Sequence, residues 1–267
     1  MEYYMTDERI AEYLKALENE ERAAATVEKY RRALLSFAAF LSGAAVTPEM
    51  IRLWKDDLRA RNYVPSTINT YLAALNGFFR FCGWADCRAR FLKIQRRLFR
   101  DSKQELTRAE YERLVAAAEA AGDRSLALLM ETICSTGIRV SEVQYITVEA
   151  AKNGKTEIAL KGKIRTILLP AKLCRKLLKF AARQKTASGA IFRAKSGKAM
   201  SRYQIWSKMK KLCVRAGVDA GKVFPHNLRH LFATVFYRAY KDIVKLADVL
   251  GHSSIETTRI YLVTSMA

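Results

Sequence analysis

Residues 155–170, KTEIALKGKIRTILLP, differ in pattern from the rest of the chain and decide its fold class. β-Branched and apolar residues alternate on both sides of Lys161, Gly162 and Lys163, a pattern typical of a β-hairpin that turns at the glycine. Helical periodicity dominates the sequence before and after this stretch. The sequence therefore predicts a mainly α (α+β) protein with one small antiparallel sheet.

Four helices are predicted in the first hundred residues. The first lies near residues 7–18, and the third starts at Thr47, a capping residue, with Pro48 at the first helical position. The fourth follows Pro65, with Ser66 as its expected cap. The second carries one apolar stripe over residues 26–42, formed by Val27, Tyr30, Leu34, Phe37, Phe40 and Leu41. We expect these helices to form a compact module.

A second domain is predicted after a basic linker. Residues 88–103 hold seven cations and one acid, and Thr107 with Glu110 three residues later then forms a capping-box pattern. A buried helix is expected over residues 124–135, ended by Gly137. We therefore divide the chain into residues 1–87, a linker at 88–104, and residues 105–267.

Charge is the strongest global signal. Lys and Arg number 47 against 26 Asp and Glu, a formal net charge of +21. Residues 152–215 alone hold nineteen Lys or Arg and a single acid, Glu157. A segment so charged repels itself unless a polyanion neutralises it, and nucleic acid is the usual partner. Charge alone leaves ribosomal or membrane-surface binding open.

Other sequence features exclude several classes of protein. The five cysteines are scattered without a CxxC pair, which indicates neither a disulfide framework nor a structural zinc site. No window is apolar enough for a membrane span, and MEYYMTDERI at residues 1–10 lacks a signal-peptide pattern. We expect a soluble, intracellular, cytoplasmic protein with reduced thiols.

Residues 225–232, PHNLRHLF, place His226, Arg229 and His230 at the start of a predicted helix whose buried side holds Leu228, Leu231, Phe232 and Val235. Two histidines four residues apart are typical of zinc hydrolases, but the HExxH pattern of such enzymes has glutamate where this chain has Asn227. An arginine in the same turn would also repel a divalent cation. His226 and Arg229 suit a phosphate better, because a guanidinium binds two oxygens and an imidazole transfers a proton.

Two further stretches carry candidate residues. STGIRVSEV, residues 135–143, places Arg139 in the turn after Gly137. In LGHSSIETTRIYL, residues 250–262, Gly251 ends one helix and a capping box of Ser253 and Glu256 starts the next, with His252 in the corner and Tyr261 about two turns further on.

Taken together, these stretches resemble the active-site boxes of the tyrosine recombinase (phage integrase) family. TGIRVSEV resembles its first-arginine box, HNLRH its H-x-L-R-H box, and LGHSSIETTRIY its Leu-Gly-His box, followed nine residues after the histidine by a nucleophilic tyrosine. STINTYLAALNGFFRFC, residues 66–82, resembles the core-site-binding helices, so the resemblance covers nearly the whole chain. It implies an N-terminal four-helix SAM-like core-binding domain and a mostly helical catalytic domain of the DNA breaking-rejoining enzyme type.

The resemblance implies a role for each residue and no metal or cofactor. Tyr261 would attack a DNA phosphodiester to give a 3′-phosphotyrosyl link. Arg139 and Arg229 would bind the non-bridging oxygens, and His252 would add a hydrogen bond. His226 would be the base for Tyr261, and Lys161 at the hairpin tip the general acid, with Lys163 as the alternative. A tyrosine with pKa near 10 is ionised in about one molecule in a thousand at pH 7, a deficit of roughly 4 kcal/mol that the site must offset.

The resemblance further implies a nucleoid-associated site-specific recombinase that acts on double-stranded DNA as a homo-tetramer on paired sites, with accessory DNA-bending proteins as possible partners. Integration or excision of a mobile element is the favoured role. Members of the family commonly carry a further helix after the tyrosine, whereas this sequence has six residues after Tyr261, which leaves the subunit contacts open. The alternatives are a catalytically inactive architectural DNA-binding protein of the same fold and a type IB topoisomerase.

Overall fold

The computed structural model describes residues 2–94, 104–160, 163–252 and 254–259. It forms two compact units, Met1–Arg96 and Arg97–Ala267. Among the described residues, no helix combines the length and apolar character needed to cross a membrane.

The N-terminal unit is built from four helices, as the sequence predicts. They are α1 (Asp7–Asn19), α2 (Ala24–Leu41), α3 (Pro48–Ala60) and α4 (Pro65–Phe81). Their apolar faces enclose a core rich in aromatic rings, in which Phe37 and Trp54 lie 4.8 Å apart between ring centroids. The hydroxyl of Thr47 accepts a hydrogen bond from the amide of Met50 and caps α3, as expected.

The predicted cap of α4 is wrong. Val64 occupies the N-cap position and Pro65 is the first helical residue, so Ser66 lies inside the first turn. The fixed φ of proline suits the first helical position, and this preference sets the start of the helix one residue before the expected cap.

The start of the predicted linker runs along α4. Two asparagines on this helix each form a pair of hydrogen bonds with the backbone of that segment, at 2.8–3.0 Å. The side chain of Asn69 donates to the carbonyl oxygen of Leu92 and accepts from its N–H, and Asn76 does the same with Ala89. Residues 89 and 92 of the predicted linker are therefore held against α4 by four hydrogen bonds. Residues 95–103 of the linker lie outside the described residues.

The C-terminal unit begins with α5 (Arg108–Ala120), which has the expected capping box of Thr107 and Glu110. It is followed by α6 (Arg124–Thr136), a 3-10 turn at Val140–Tyr145 and α7 (Val148–Asn153). Helix α6 is buried on most of its circumference and packs against α5 and α10, which makes it the centre of the core. It ends at Gly137, whose φ of 64° is left-handed, as the sequence predicts.

The predicted hairpin is present as β1 (Lys155–Leu160) and β2 (Lys163–Leu168), paired antiparallel with Leu160 opposite Lys163. Helices resume after it: α8 (Ala171–Arg183), α9 (Arg202–Ala216), α10 (Pro225–Tyr240), α11 (Ile243–Leu250) and α12 (Ile255–Arg259). The mainly helical fold with one small antiparallel sheet is confirmed.

Helix α10 departs from its predicted burial in one respect. Val235 is 49% exposed, although the apolar periodicity assigns it to the buried side. The four consecutive residues Asn227 to His230 are all buried, so the first part of α10 is enclosed on several sides and has no single buried stripe.

Candidate active site

The C-terminal end of α11 is the point where the candidate residues meet. Gly251 ends this helix with a left-handed φ of 63°, and the preceding backbone carbonyls lack helical partners there. Three consecutive carbonyl oxygens instead accept hydrogen bonds from three arginines: Val249 from Arg165 at 2.7 Å, Leu250 from Arg229 at 2.7 Å, and Gly251 from Arg139 at 3.3 Å. The partial negative charge of a helix C-terminus favours cations at this place.

Arg229 is buried at the centre of this arrangement. It lies in the second turn of α10 and is 2% exposed. Its Nη1 donates to the carbonyl oxygen of Gly137 at 2.6 Å, so it joins the end of α6 to the end of α11. Its guanidinium is therefore held by backbone atoms of two helix ends, and the buried charge stays hydrogen-bonded.

Arg139 is held by Glu142, three residues further along the chain. One carboxylate oxygen accepts from the backbone N–H of Arg139 at 2.7 Å, and the other accepts from its Nη1 at 2.9 Å. The side chain of Glu142 is 2% exposed, whereas that of Arg139 is 43% exposed. Arg139 thus presents a fixed guanidinium to solvent above a buried carboxylate.

His252 follows Gly251 and bonds to both sides of the site. Its Nε2 lies 3.0 Å from Arg229 Nη2, and its Nδ1 lies 2.9 Å from Thr258 Oγ1 on α12. A guanidinium only donates, so Nε2 accepts and Nδ1 carries the proton that is donated to Thr258. Burial, and then the charges of Arg229 and Arg139, lower the pKa of His252 to about 4, so its ring is neutral at pH 7.

The two histidines of HNLRH lie in different surroundings. His226 is exposed in the first turn of α10 and is close enough to His252 to be among the groups that lower the pKa of that histidine. His230 is buried, with Nε2 at 3.6 Å from Glu105. Among the described residues, no group of three or more His, Cys, Asp or Glu could hold a metal ion.

The contacts of Asn227 explain why the chain has an amide at the position where a zinc hydrolase has glutamate. It is fully buried, and its Nδ2 donates to the carbonyl oxygens of Gln104 and Lys222, both at 2.8 Å. A carboxylate has no N–H to donate to these oxygens. Asn227 thereby fixes the start of the C-terminal unit to the helix that carries Arg229.

Several predicted positions lie outside the described part of the chain. These are Lys161 at the hairpin tip, the nucleophile candidate Tyr261, and Ser253 of the predicted capping box. The backbone of Lys163 begins β2, but its side chain also lies outside the described residues. The choice between Lys161 and Lys163 therefore stays a prediction.

We use the name arginine cluster for Arg139, Glu142, Arg165, Arg229 and His252. Its three guanidinium groups and one carboxylate leave a net charge of +2 when the imidazole is neutral. Preorganised donors with net positive charge suit an oxyanion such as a phosphodiester, whose charge grows on nucleophilic attack.

Sequence reasoning missed three residues that hold the cluster together: Glu142, Arg165 and Thr258. Glu142 lies three residues after Arg139, which is the spacing of a capping box, but an arginine in the cap position hides the signal. Arg165 occupies an inward position of β2, two residues before the buried Ile167, and a charged residue at such a position is a usable signal.

Comparison with known protein families identifies both units. Residues 104–267 match the model of the phage integrase family, and residues 10–86 match that of the phage integrase N-terminal SAM-like domain. Tyrosine recombinase XerA of Pyrococcus furiosus is 30% identical over 96% of this chain and 90% of its own length. Tyrosine recombinase XerD of Brucella suis is 30% identical over 94% of this chain and 91% of its own length.

Solved structures support the same fold. A lambda integrase fragment, in a dimer bound to a COC′ core site, superposes with a TM-score of 0.77 at 17% identity, covering 96% of this chain and 94% of that one. XerH site-specific recombinase bound to its difH substrate gives a TM-score of 0.72 at 21% identity, covering 97% and 82%. Together with the family match over residues 104–267, this places the chain in the phage integrase family of tyrosine recombinases, enzymes of site-specific recombination that cleave and rejoin DNA strands.

Proposed function

We propose that this chain cuts and rejoins double-stranded DNA at specific sites through a 3′-phosphotyrosyl intermediate on Tyr261. One observation carries the proposal: Arg139, Arg229 and His252, from three separate segments, converge on the end of α11. Arg139 and Gly251, which share a hydrogen bond, are 112 positions apart in the sequence, so this convergence is a property of the fold.

The proposed reaction conserves the number of phosphodiester bonds. The phenol oxygen of Tyr261 bonds to phosphorus as the bond from phosphorus to the 5′-oxygen breaks. The phenol proton passes to His226, and Lys161 protonates the leaving 5′-oxygen, with Lys163 as the alternative acid. Attack by the 5′-hydroxyl of another strand reverses these steps and releases Tyr261, so neither ATP nor a metal is consumed.

The arginine cluster supplies the electrostatic part of this mechanism. The exposed guanidinium of Arg139 and the buried one of Arg229 would bind the two non-bridging oxygens. Both are fixed by hydrogen bonds before DNA arrives, which removes the cost of reorganisation. For His252 to donate to the phosphate, its Nε2 must gain a proton, and an incoming anion favours this by raising the pKa of the imidazole.

We assign residues 1–87 to recognition of the core DNA site, residues 88–104 to the linker, and residues 105–267 to catalysis. The net charge of +18 over residues 152–215 supports binding to a duplex, with an affinity that falls steeply with salt. We further propose a homo-tetramer on paired sites, assisted by DNA-bending proteins, that integrates or excises a mobile element. The place of action is then the nucleoid in the cytoplasm.

The test is covalent capture of DNA from a random library, which requires no known target sequence. The protein is incubated in EDTA with nicked duplexes of random sequence, and DNA that survives denaturing washes is released by proteolysis and sequenced. The nick lets the short cleaved strand diffuse away, so the adduct accumulates. We expect enrichment of one sequence family with the wild type and none with Tyr261→Phe, which keeps salt-sensitive DNA binding.

The outcomes separate the alternatives. Binding without any adduct in the wild type favours an architectural protein, and an adduct that survives Tyr261→Phe excludes the assigned nucleophile. Relaxation of a supercoiled plasmid that lacks the captured sequence favours a type IB topoisomerase. If the captured sequences map to the ends of a movable segment, the mobile-element role is supported, whereas a single fixed chromosomal site contradicts it.

A further inference from the structure

We propose that Arg165 is a positioning residue of the active site: it holds strand β2 and the end of α11 to the carboxylate that orients Arg139. This rests on the proposed function, because the position of Arg139 matters only if that arginine binds the scissile phosphate. The side chain of Arg165 is 12% exposed, against 43% for Arg139, so it is shielded from solvent where Arg139 is open to it.

The contacts of Arg165 join three segments. Its Nη1 lies 3.3 Å from both carboxylate oxygens of Glu142, 23 residues away in sequence. Its Nη2 donates to the carbonyl oxygen of Val249, 84 residues away, at 2.7 Å. One planar guanidinium therefore fixes the distance between the first-arginine turn and the helix end that precedes His252. A lysine, with a single compact charge, does not reproduce this fork.

Arg165 also affects the net positive charge that surrounds Arg139 and is available to a phosphate. Glu142 is the carboxylate that positions Arg139, and alone it would neutralise that arginine. The guanidinium of Arg165 binds the same carboxylate and offsets its negative charge, so the arginine cluster retains a net charge of +2. Without Arg165 the positive charge facing a phosphate would fall by one, at a site where electrostatic stabilisation is the main source of rate enhancement.

Gly251 supplies independent support. A Cβ at this glycine would overlap the side chain of Arg165, with Nε at 2.9 Å and Nη1 at 3.2 Å. The glycine of the Leu-Gly-His stretch therefore meets two demands: the left-handed end of α11 and room for Arg165 beside it. Gly251→Ala displaces Arg165 without removing any charge.

The test compares Arg165→Gln and Arg165→Lys with Arg113→Gln. Arg113 is a matched control because it also donates to the carbonyl oxygens at a helix end, those of Ala216 and Gly217, but contacts no member of the cluster among the described residues. The first readout is the single-turnover rate of adduct formation on the nicked library at saturating DNA. We expect a loss of about 100-fold for Arg165→Gln and about tenfold for Arg165→Lys and Gly251→Ala, with the Kd for DNA changed less than about threefold.

The second readout is the titration of His252 by NMR without DNA. The chain has three histidines, which makes their signals assignable, and the charges acting on His252 are those of Arg229, Arg139, Arg165 and His226. Arg165→Gln should raise the pKa of His252, whereas Arg165→Lys and Arg113→Gln should leave it low. Loss of folding would shift the signals of all three histidines to their positions in the unfolded chain, whereas loss of one charge moves the titration of His252 and leaves the folded signals of the other two in place.

Each outcome is decisive. Wild-type rates for both Arg165 variants, or an unchanged His252 titration in Arg165→Gln, overturn the positioning role. If the wild type forms no adduct, the proposed function fails instead, and the titration still reports whether Arg165 acts on the cluster. Slower cleavage with a raised pKa of His252 in Arg165→Gln alone supports the assignment.

Discussion

Replacing Glu142 by glutamine separates charge from geometry in the arginine cluster. The change raises the net charge of the cluster from +2 to +3, which favours an anionic ligand. It also replaces one of the two carboxylate oxygens, which accept from the backbone N–H and the Nη1 of Arg139, with an amide NH2 that cannot accept. If charge alone governs the reaction, Glu142→Gln cleaves DNA faster; if the position of Arg139 governs it, cleavage slows.

The geometry predicts slower cleavage and a less stable protein. Misplacing a catalytic group by about 1 Å costs about 100-fold in rate, so we expect a loss of that order. Breaking a buried ion pair costs about 3–5 kcal/mol, and the partial exposure of Arg139 reduces this to roughly 2–4 kcal/mol. For a unit of this size, that corresponds to a Tm lower by roughly 5–15 °C. DNA affinity at fixed salt should be unchanged or higher.

The assay measures Tm, the Kd for DNA and the single-turnover cleavage rate on one preparation. Glu131→Gln is the control, because Glu131 also forms a short ion pair, at 2.6 Å with Lys176, but in a more exposed place. The side chains of Glu131 and Lys176 are 26% and 47% exposed. It should cost less than about 1 kcal/mol and leave cleavage unchanged. A Glu142→Gln protein that cleaves at or above the wild-type rate refutes the reasoning.

Two further predictions concern His252 and Asn227. Because the pKa of His252 is about 4 in the folded state against 6.5 ordinarily, the unfolded chain gains its proton first, and stability is lost as pH falls from 6.5 towards 4. Urea unfolding should show a loss of roughly 1–2 kcal/mol in that window, after allowance for partial exposure, that is absent in His252→Asn. Asn227→Leu removes the fully buried amide that donates to the carbonyl oxygens of Gln104 and Lys222 and should lower the free energy of unfolding by about 1–3 kcal/mol at any pH.

The sequence predicts those features of the fold that depend on neighbouring residues. Helix starts and stops, such as the capping box at Thr107 and the left-handed ends at Gly137 and Gly251, are local and follow from residue type. The same local rules assign Ser66 as a cap, and this is wrong because the adjacent Pro65 has the stronger preference. The prediction that Val235 is buried is wrong for a different reason, since apolar periodicity assumes that a helix has a single buried face.

The bonding within the candidate site could not be predicted, because it depends on residues far apart in the chain. The sequence indicates that Arg139 and Arg229 carry chemistry, but not that both donate to the end of α11. Glu142 looks ordinary in sequence, since a carboxylate in a turn is usually solvated, and the inward position of Arg165 in β2 signals burial but not its partners. The contact of Arg165 with Val249 forms only when β2 and α11 pack together.

The end of α11 explains how guanidinium groups that repel one another can share one place. Three like charges in a cluster are unfavourable unless acceptors separate them, and three successive carbonyl oxygens at a helix C-terminus provide one acceptor for each arginine. The same end leads directly into His252, whose Nδ1 bonds to Thr258 on α12. A phosphate that binds the guanidinium groups held at this end would therefore meet His252 at the same place, one hydrogen bond away from α12. In the proposed reaction, phosphate binding is thereby linked through His252 and Thr258 to α12, the helix that precedes Tyr261 in the sequence.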